Sequence, residues 1–206
     1  MLLFDIGGNI GSWALKKYNS DTQIISIEAS PTTFQSLVLN TFGKNIICLN
    51  YAVTSSVEES VEFFDCNANT ISTLNQKWLN DPSSRFYNQF NYKKIKVNTI
   101  TLDKLVKTYG MPDLIKVDVE GAEDIVLKSL TSPAKIICFE WAAEMQIEIV
   151  NSVNHLASLG YEKFHIQNED KYDYIPISFE LNKSELLAII KSKVPKVDWG
   201  MIWTSI

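Results

Sequence analysis

Two groups of residues in this sequence have the types and spacing to do chemistry. The first is Asp5-Ile6-Gly7-Gly8-Asn9-Ile10-Gly11, an acid, a glycine, three residues and a second glycine. It lies where the apolar run Leu2 to Ile6 gives way to a helical pattern through Trp13, Ala14 and Leu15. At that place an open α/β sheet turns backbone N–H groups and a helix start toward a ligand. A dinucleotide fingerprint, G-x-G-x-x-G, would need glycine at position 9, where Asn9 stands, so no pyrophosphate-binding pattern survives. A side chain at Gly7 is expected to fill the space of the ligand. Glu28 closes the next apolar run, where a carboxylate can accept hydrogen bonds from both hydroxyls of a ribose.

The second group is Asp118, Glu120, Glu123 and Glu140, carboxylates at the ends of two further apolar runs, where ligands of open sheets bind. Strand alternation sends Asp118 and Glu120 to one face, and Gly121 lets the backbone turn closely beside a ligand. A carboxylate withdrawn from water titrates nearer neutral pH and can take the proton of an attacking hydroxyl, so Glu140 and Glu120 are the candidate bases. Glu140 is preferred because it follows Ile136-Ile137-Cys138-Phe139 and is expected to leave that strand at the cleft edge. Glu123, one turn into a helix, serves either the positive helix end or a substrate. His155 falls inside a helical pattern and reads as structural, while His165 on a late strand is a lesser candidate for the cleft. There is no close His and Cys spacing, and no metal is expected.

Leu114-Ile115-Lys116-Val117-Asp118-Val119-Glu120-Gly121-Ala122-Glu123 resembles the signature of the FkbM family of methyltransferases, a strand ending in Lys-x-Asp-x-Glu-Gly-Ala-Glu that leads into a helix. Asp5 to Gly11 resembles the family's Asp-x-Gly-x-Asn-x-Gly loop. Glu28-Ala29-Ser30-Pro31 resembles its Glu-Pro-x-Pro element, and Asn50-Tyr51-Ala52-Val53 its Asn-x-Ala-Val element. Thr70 to Leu74 is similar to its Ser-rich loop and Thr101-Leu102-Asp103 to its Thr-Leu-Asp turn. The resemblance runs from Phe4 to about Trp141. It implies the class I methyltransferase fold, S-adenosylmethionine as cofactor, and O-methylation of a hydroxyl on a sugar or other small molecule. It implies cofactor contacts at Asp5, Gly7, Asn9, Gly11, Glu28 and Ala52, with Asp118 facing the cofactor's ammonium group. Family members carry a segment before the glycine loop; here the loop begins at residue 5, so an N-terminal substrate cap is expected to be missing or replaced.

Positioning these residues requires strands and helices in alternation. Short β-rich runs at 2–6, 24–27, 46–49, 114–119, 136–139, 161–167 and 199–204 alternate with helical patterns after Gly11, after Pro31, over 124–130, over 144–159 and around Leu186, Leu187 and Ile190. This is the mark of a doubly wound, mostly parallel α/β sheet with helices on both faces. Seven strands with an antiparallel last one is what the resemblance implies. In the 144–159 helix, Ile147, Val150, Val153, Leu156 and Leu159 form the expected apolar face. An irregular insert occupies about 61–100, with short strands near Val61 to Phe64 and Ile95 to Ile100. Within it, Trp78 to Lys96 interleaves aromatic and basic residues; it reads as a substrate lid or as an apolar closure of the sheet edge.

The 206 residues, 46% hydrophobic and 21% charged, suit one core, so a single domain over 1–206 is expected. A net charge of -5 removes any chain-wide attraction to nucleic acid or anionic lipid. No stretch approaches the length of a membrane span. Cys48, Cys66 and Cys138 are too few for a disulfide framework, and two lie in apolar runs that read as buried strands, so a reducing compartment, the cytoplasm, is expected. The partner expected is a small-molecule or saccharide acceptor. Two alternatives remain: a nucleic-acid methyltransferase, favoured by the basic aromatic insert and opposed by the net charge, and a non-catalytic methyltransferase-like binding module.

Overall fold

The computed structural model describes all 206 residues. The first half of the chain runs β1 (Leu2–Ile6), α1 (Ser12–Lys17), β2 (Gln23–Ile27), α2 (Pro31–Thr41), β3 (Ile46–Leu49), β4 (Ala52–Val53), β5 (Ser60–Cys66), α3 (Gln76–Asn80) and β6 (Tyr92–Ile100). The second half runs α4 (Leu102–Tyr109), β7 (Leu114–Val117), α5 (Glu123–Leu127), β8 (Ile136–Ala142), α6 (Gln146–Ser158), β9 (Lys163–Asn168), α7 (Lys183–Lys191) and β10 (Trp199–Ser205). Seven strands form one sheet in the order β3-β2-β1-β7-β8-β10-β9. Only β10 runs antiparallel to its neighbours β8 and β9. This is the doubly wound, mostly parallel seven-stranded sheet that the resemblance implies.

The chain moves outward from β1 to β3 and then returns to β7 on the other side of β1, so the topological switch point falls between β1 and β7. Ligands of such sheets bind there, beyond the carboxyl ends of the strands. The larger core, 25 buried residues, packs Phe4, Ile6, Ile115, Val117, Ile137 and Phe139 against α4 to α7. The opposite face has a smaller core of eight, including Trp13, Cys138 and Trp203, and it also carries the cross-strand partners Ser26, Asp5 and Lys116. Polar residues thus sit on one face of the central strands directly below the switch point.

The helices start where capping chemistry allows. Ser30 caps α2 by accepting from Thr33 N–H, with Pro31 in the first turn, and Asn182 and Glu185 form a reciprocal capping box on α7.

Several sequence expectations shift. The 114–119 strand ends at Val117, and Glu120 has φ 58°, so strand alternation does not set its direction. The 136–139 strand continues to Ala142 because β10 pairs along its whole length, opposite Met201 at Glu140. Glu140 therefore lies inside the strand. The helix expected over 124–130 covers Glu123–Leu127. On α6 the buried apolar face is Ile149, Val153 and Leu156, while Ile147 is exposed. On α2 Leu37 is fully buried, while Val38 and Leu39 are exposed. Cys48 is half-buried because β3 is an edge strand, and all three cysteines are free thiols. Thr101-Leu102-Asp103 opens a full helix, α4, with Thr101 as its cap. No helix is long and apolar enough to cross a membrane.

Candidate active site

β1, β2 and β7 end side by side and deliver Gly7, Glu28 and Asp118 to one cleft of about 430 Å³. Gly7, Asn9, Glu28, Ala52, Asp118, Glu120 and Glu140 all line it. Asp5 and Gly11 stand behind the wall. Asp5 is fully buried on β1, with one oxygen accepting from Ser26 Oγ at 2.8 Å and the other unpartnered. Gly11 precedes α1 at φ 91°, and a Cβ there would press on Leu37 and Thr41 at 3.0 Å, so its glycine lets the loop approach α2.

The glycine loop does not present its first amides to a ligand. Gly7 and Gly8 both donate to the Ile27 carbonyl, at 2.9 and 2.8 Å. A Cβ on Gly7, at φ 82°, would lie 1.8 Å from the Asp118 carbonyl oxygen. Glycine is therefore needed there for the close passage of two strand ends, and not to leave room for a ligand.

Glu28 is 7% exposed and accepts from Asn9 N–H at 2.9 Å and Ser30 N–H at 2.8 Å. Burial, only partly offset by those two donors, pushes its carboxyl up to about 7. Asn50 ties this turn down by donating to the carbonyls of Glu28 and Ala29, which explains the Asn of the Asn-x-Ala-Val element. Ile27, Ala29, Ala52, Val53, Phe63 and Leu74 make an apolar wall beside Glu28.

At the other end, Lys116 is 3% exposed, with its ammonium 2.8 Å from Asp118 Oδ2 and 4.0 Å from Asp170 Oδ2. It faces Asp5 across the β1–β7 pairing. Burial opposes its charge, but Asp118, Asp5 and Asp170 together outweigh burial and hold it protonated. Carboxylate oxygens of Asp118, Glu120 and Glu140 lie within 4.8 Å of one another. At that spacing carboxylates share a proton or a cation; of the three, Asp118 is the one the Lys116 ammonium bonds. Burial is the first cause that raises both Glu120 and Glu140 well above the ordinary carboxylate range. Glu123 instead serves the turn: its Oε1 accepts from Val119 and Gly121 N–H.

The insert contributes differently than its sequence suggests. The cleft residues it supplies are Phe63 and the 69–74 loop, whose Asn69 donates to Asn9 Oδ1 at 2.6 Å. None of the residues from Trp78 to Lys96 lines the cleft. Within that run Trp78, Phe86 and Phe90 pack edge to face. Arg85 forms a forked pair with Glu144 at 2.6 and 2.9 Å, and Lys94 pairs with Glu62. His155 bonds the Leu130 carbonyl, and His165 pairs with the Tyr174 hydroxyl away from the cleft. Sequence reasoning missed Lys116, Asp170 and Tyr172 as cleft residues. Lys116 had a signal, a lysine amid a buried strand; Asp170 and Tyr172 lie on a loop with none.

The protein-family model described as "Methyltransferase FkbM domain" matches residues 5–170. No match to a curated protein was found. Among solved structures, the chain is similar to precorrin-6y C5,15-methyltransferase from Geobacter metallireducens, with 11% identity, a TM-score of 0.49, and coverage of 99% of this chain and 79% of that one. It is also similar to Aeropyrum pernix fibrillarin with natively bound S-adenosyl-L-methionine, at 11% identity and a TM-score of 0.49, covering 98% of this chain and 65% of that one. Identities this low say nothing about substrate.

Proposed function

The chain belongs to the FkbM methyltransferase family, and from that premise we propose that it transfers the methyl group of S-adenosylmethionine to a hydroxyl of a sugar or other small molecule. The observation that carries this reading is one cleft holding a ribose-type acid, Glu28, at one end and three converging carboxylates at the other. The residues present fit the cofactor. Glu28 has lone pairs left for the ribose hydroxyls, the apolar wall suits a flat base, and Asp118 suits an ammonium group.

Bound S-adenosylmethionine supplies an electrophilic methyl carbon. The chain's own work is to hold the acceptor hydroxyl in line with that carbon, exclude water, and take the hydroxyl proton on Glu120 or Glu140. The single cation of the cleft, Lys116, is already held by Asp118 and Asp170, so the acceptor end offers proton acceptors and no anion-binding group. This weighs against a polyphosphate acceptor such as nucleic acid. Incubation with methyl-labelled cofactor and pools of sugars, small molecules and RNA tests the reading. Label is expected in hydroxylated small molecules, and label in RNA alone would overturn it.

A further inference from the structure

Two candidate bases in one cleft pose a question that the insert answers. Trp78 sits on α3, 2% exposed, and donates its indole Nε1–H to Glu120 Oε2 at 3.0 Å. The same arm grips the turn that carries Glu120. Thr73 Oγ1 donates to the Glu120 carbonyl and Asn75 Nδ2 to the Gly121 carbonyl, both at 2.7 Å. These contacts hold a non-glycine residue at φ 58°, a conformation that persists only where its surroundings fix it. Glu120 Oε1 is left without a hydrogen bond, while Glu140, inside β8, accepts none on either oxygen.

We propose that Trp78 is a positioning residue that makes Glu120, and not Glu140, the ionised proton acceptor of the pair. The inference rests on the methyltransferase reading of the cleft. An indole N–H can only donate, so it favours the charged form of the carboxyl it touches. Glu140 faces Glu120, Asp118 and Glu123 with no donor to offset its burial, and Lys116 counters them only weakly from beside Asp118. Glu148 of α6 borders the same hollow between Trp78 and Glu140, and Cys66 of β5 is close enough to Glu120 to feel its charge. None of these groups supplies a donor to Glu140. The shared proton therefore stays on Glu140. In the reaction, the acceptor's O–H proton passes to the free Oε1 of Glu120 as the new O–C bond forms and the bond from that carbon to sulfur breaks. Trp78 keeps Oε2 fixed meanwhile.

The test is a carbon-13 NMR titration of the glutamate side-chain carboxyls in the full chain, with Glu120→Gln and Glu140→Gln used to assign the two signals. In the wild type, Glu120 is expected to ionise at lower pH than Glu140. Trp78→Phe keeps an aromatic ring against Gly121 and Phe86 but removes the donor, and it is expected to raise the Glu120 midpoint by about one pH unit. A wild type in which Glu140 ionises first overturns the proposal, and that order decides even if Trp78→Phe does not fold. A Glu120 midpoint unmoved in folded Trp78→Phe overturns it as well. Calorimetry with S-adenosylhomocysteine on the same wild-type sample separates the two readings. Loss of binding there defeats the methyltransferase reading, whereas the titration order defeats only the role of Trp78.

Discussion

Burial holds a proton on Glu28 up to about 7, and that makes both ligand affinity and stability depend on pH. Ribose hydroxyls donate to an ionised carboxylate, so the affinity for S-adenosylhomocysteine should rise as pH passes upward through about 7. Glu28→Gln should flatten that dependence and weaken binding by roughly tenfold or more, for the loss of hydrogen bonds to a charged group. Calorimetry at several pH values checks both, and a pH-independent wild-type affinity contradicts them. Stability should move the opposite way. The folded state holds the Glu28 proton up to about 7, while the unfolded chain releases it near the ordinary 4.5. The contribution is thus full below the unfolded value and is lost as pH rises through the folded one, about 3 kcal/mol at most. Glu123, raised to about 7, and Asp170, raised to about 6, act with the same sign. The melting temperature should therefore fall between pH 5 and pH 8, by less in Glu28→Gln.

The ends of β1 and β7 meet too closely for any side chain on Gly7, which makes the glycine loop an element of the sheet before it is an element of the site. Gly7→Val should cost more than about 3 kcal/mol, through a clash with the Asp118 carbonyl and a left-handed backbone, and should lower the melting temperature by roughly 10 °C. A well-folded Gly7→Val protein that only fails to bind ligand would restore the simpler view that Gly7 makes room for the cofactor. The difference shows where the sequence was legible. Acid-glycine spacing and apolar runs located the loop and the strand starts β1, β2, β3 and β7, because glycine and β-branched residues report on backbone geometry within a few positions. What two distant strands do to each other is not local. The extension of β8 through Glu140 depends on β10, some sixty residues later, and the left-handed turn at Glu120 depends on Thr73 and Asn75. The mixed aromatic and basic run at 78–96 misled for the same reason. Its aromatics found one another and Arg85 found Glu144, a partner no nearby sequence announces. Helix α4 was hidden by a familiar three-residue turn that proved to be its cap.

Across the whole molecule, charge is distributed so that a protein carrying -5 overall concentrates carboxylates at the switch point and places a single ammonium, that of Lys116, among them. Two ways of tolerating such a cluster exist, protonation of some of its members or an added cation, and they differ in what a chelator does. Lys116 already neutralises one charge between Asp118 and Asp170, and burial holds the proton on the Glu120 and Glu140 pair. Together these offset two of the cluster's negative charges without an added ion, and the oxygen donors that a magnesium or calcium ion demands are partly engaged by Lys116 and Trp78. Treatment with EDTA should therefore leave the melting temperature, S-adenosylhomocysteine affinity and methyl transfer to the acceptor found in the labelled screen unchanged. Magnesium should raise none of them. If magnesium instead raised the melting temperature by several degrees, and Glu140→Gln abolished that rise, the three carboxylates would be sharing a metal ion where we place a proton, and Glu120 would be a ligand in place of a base.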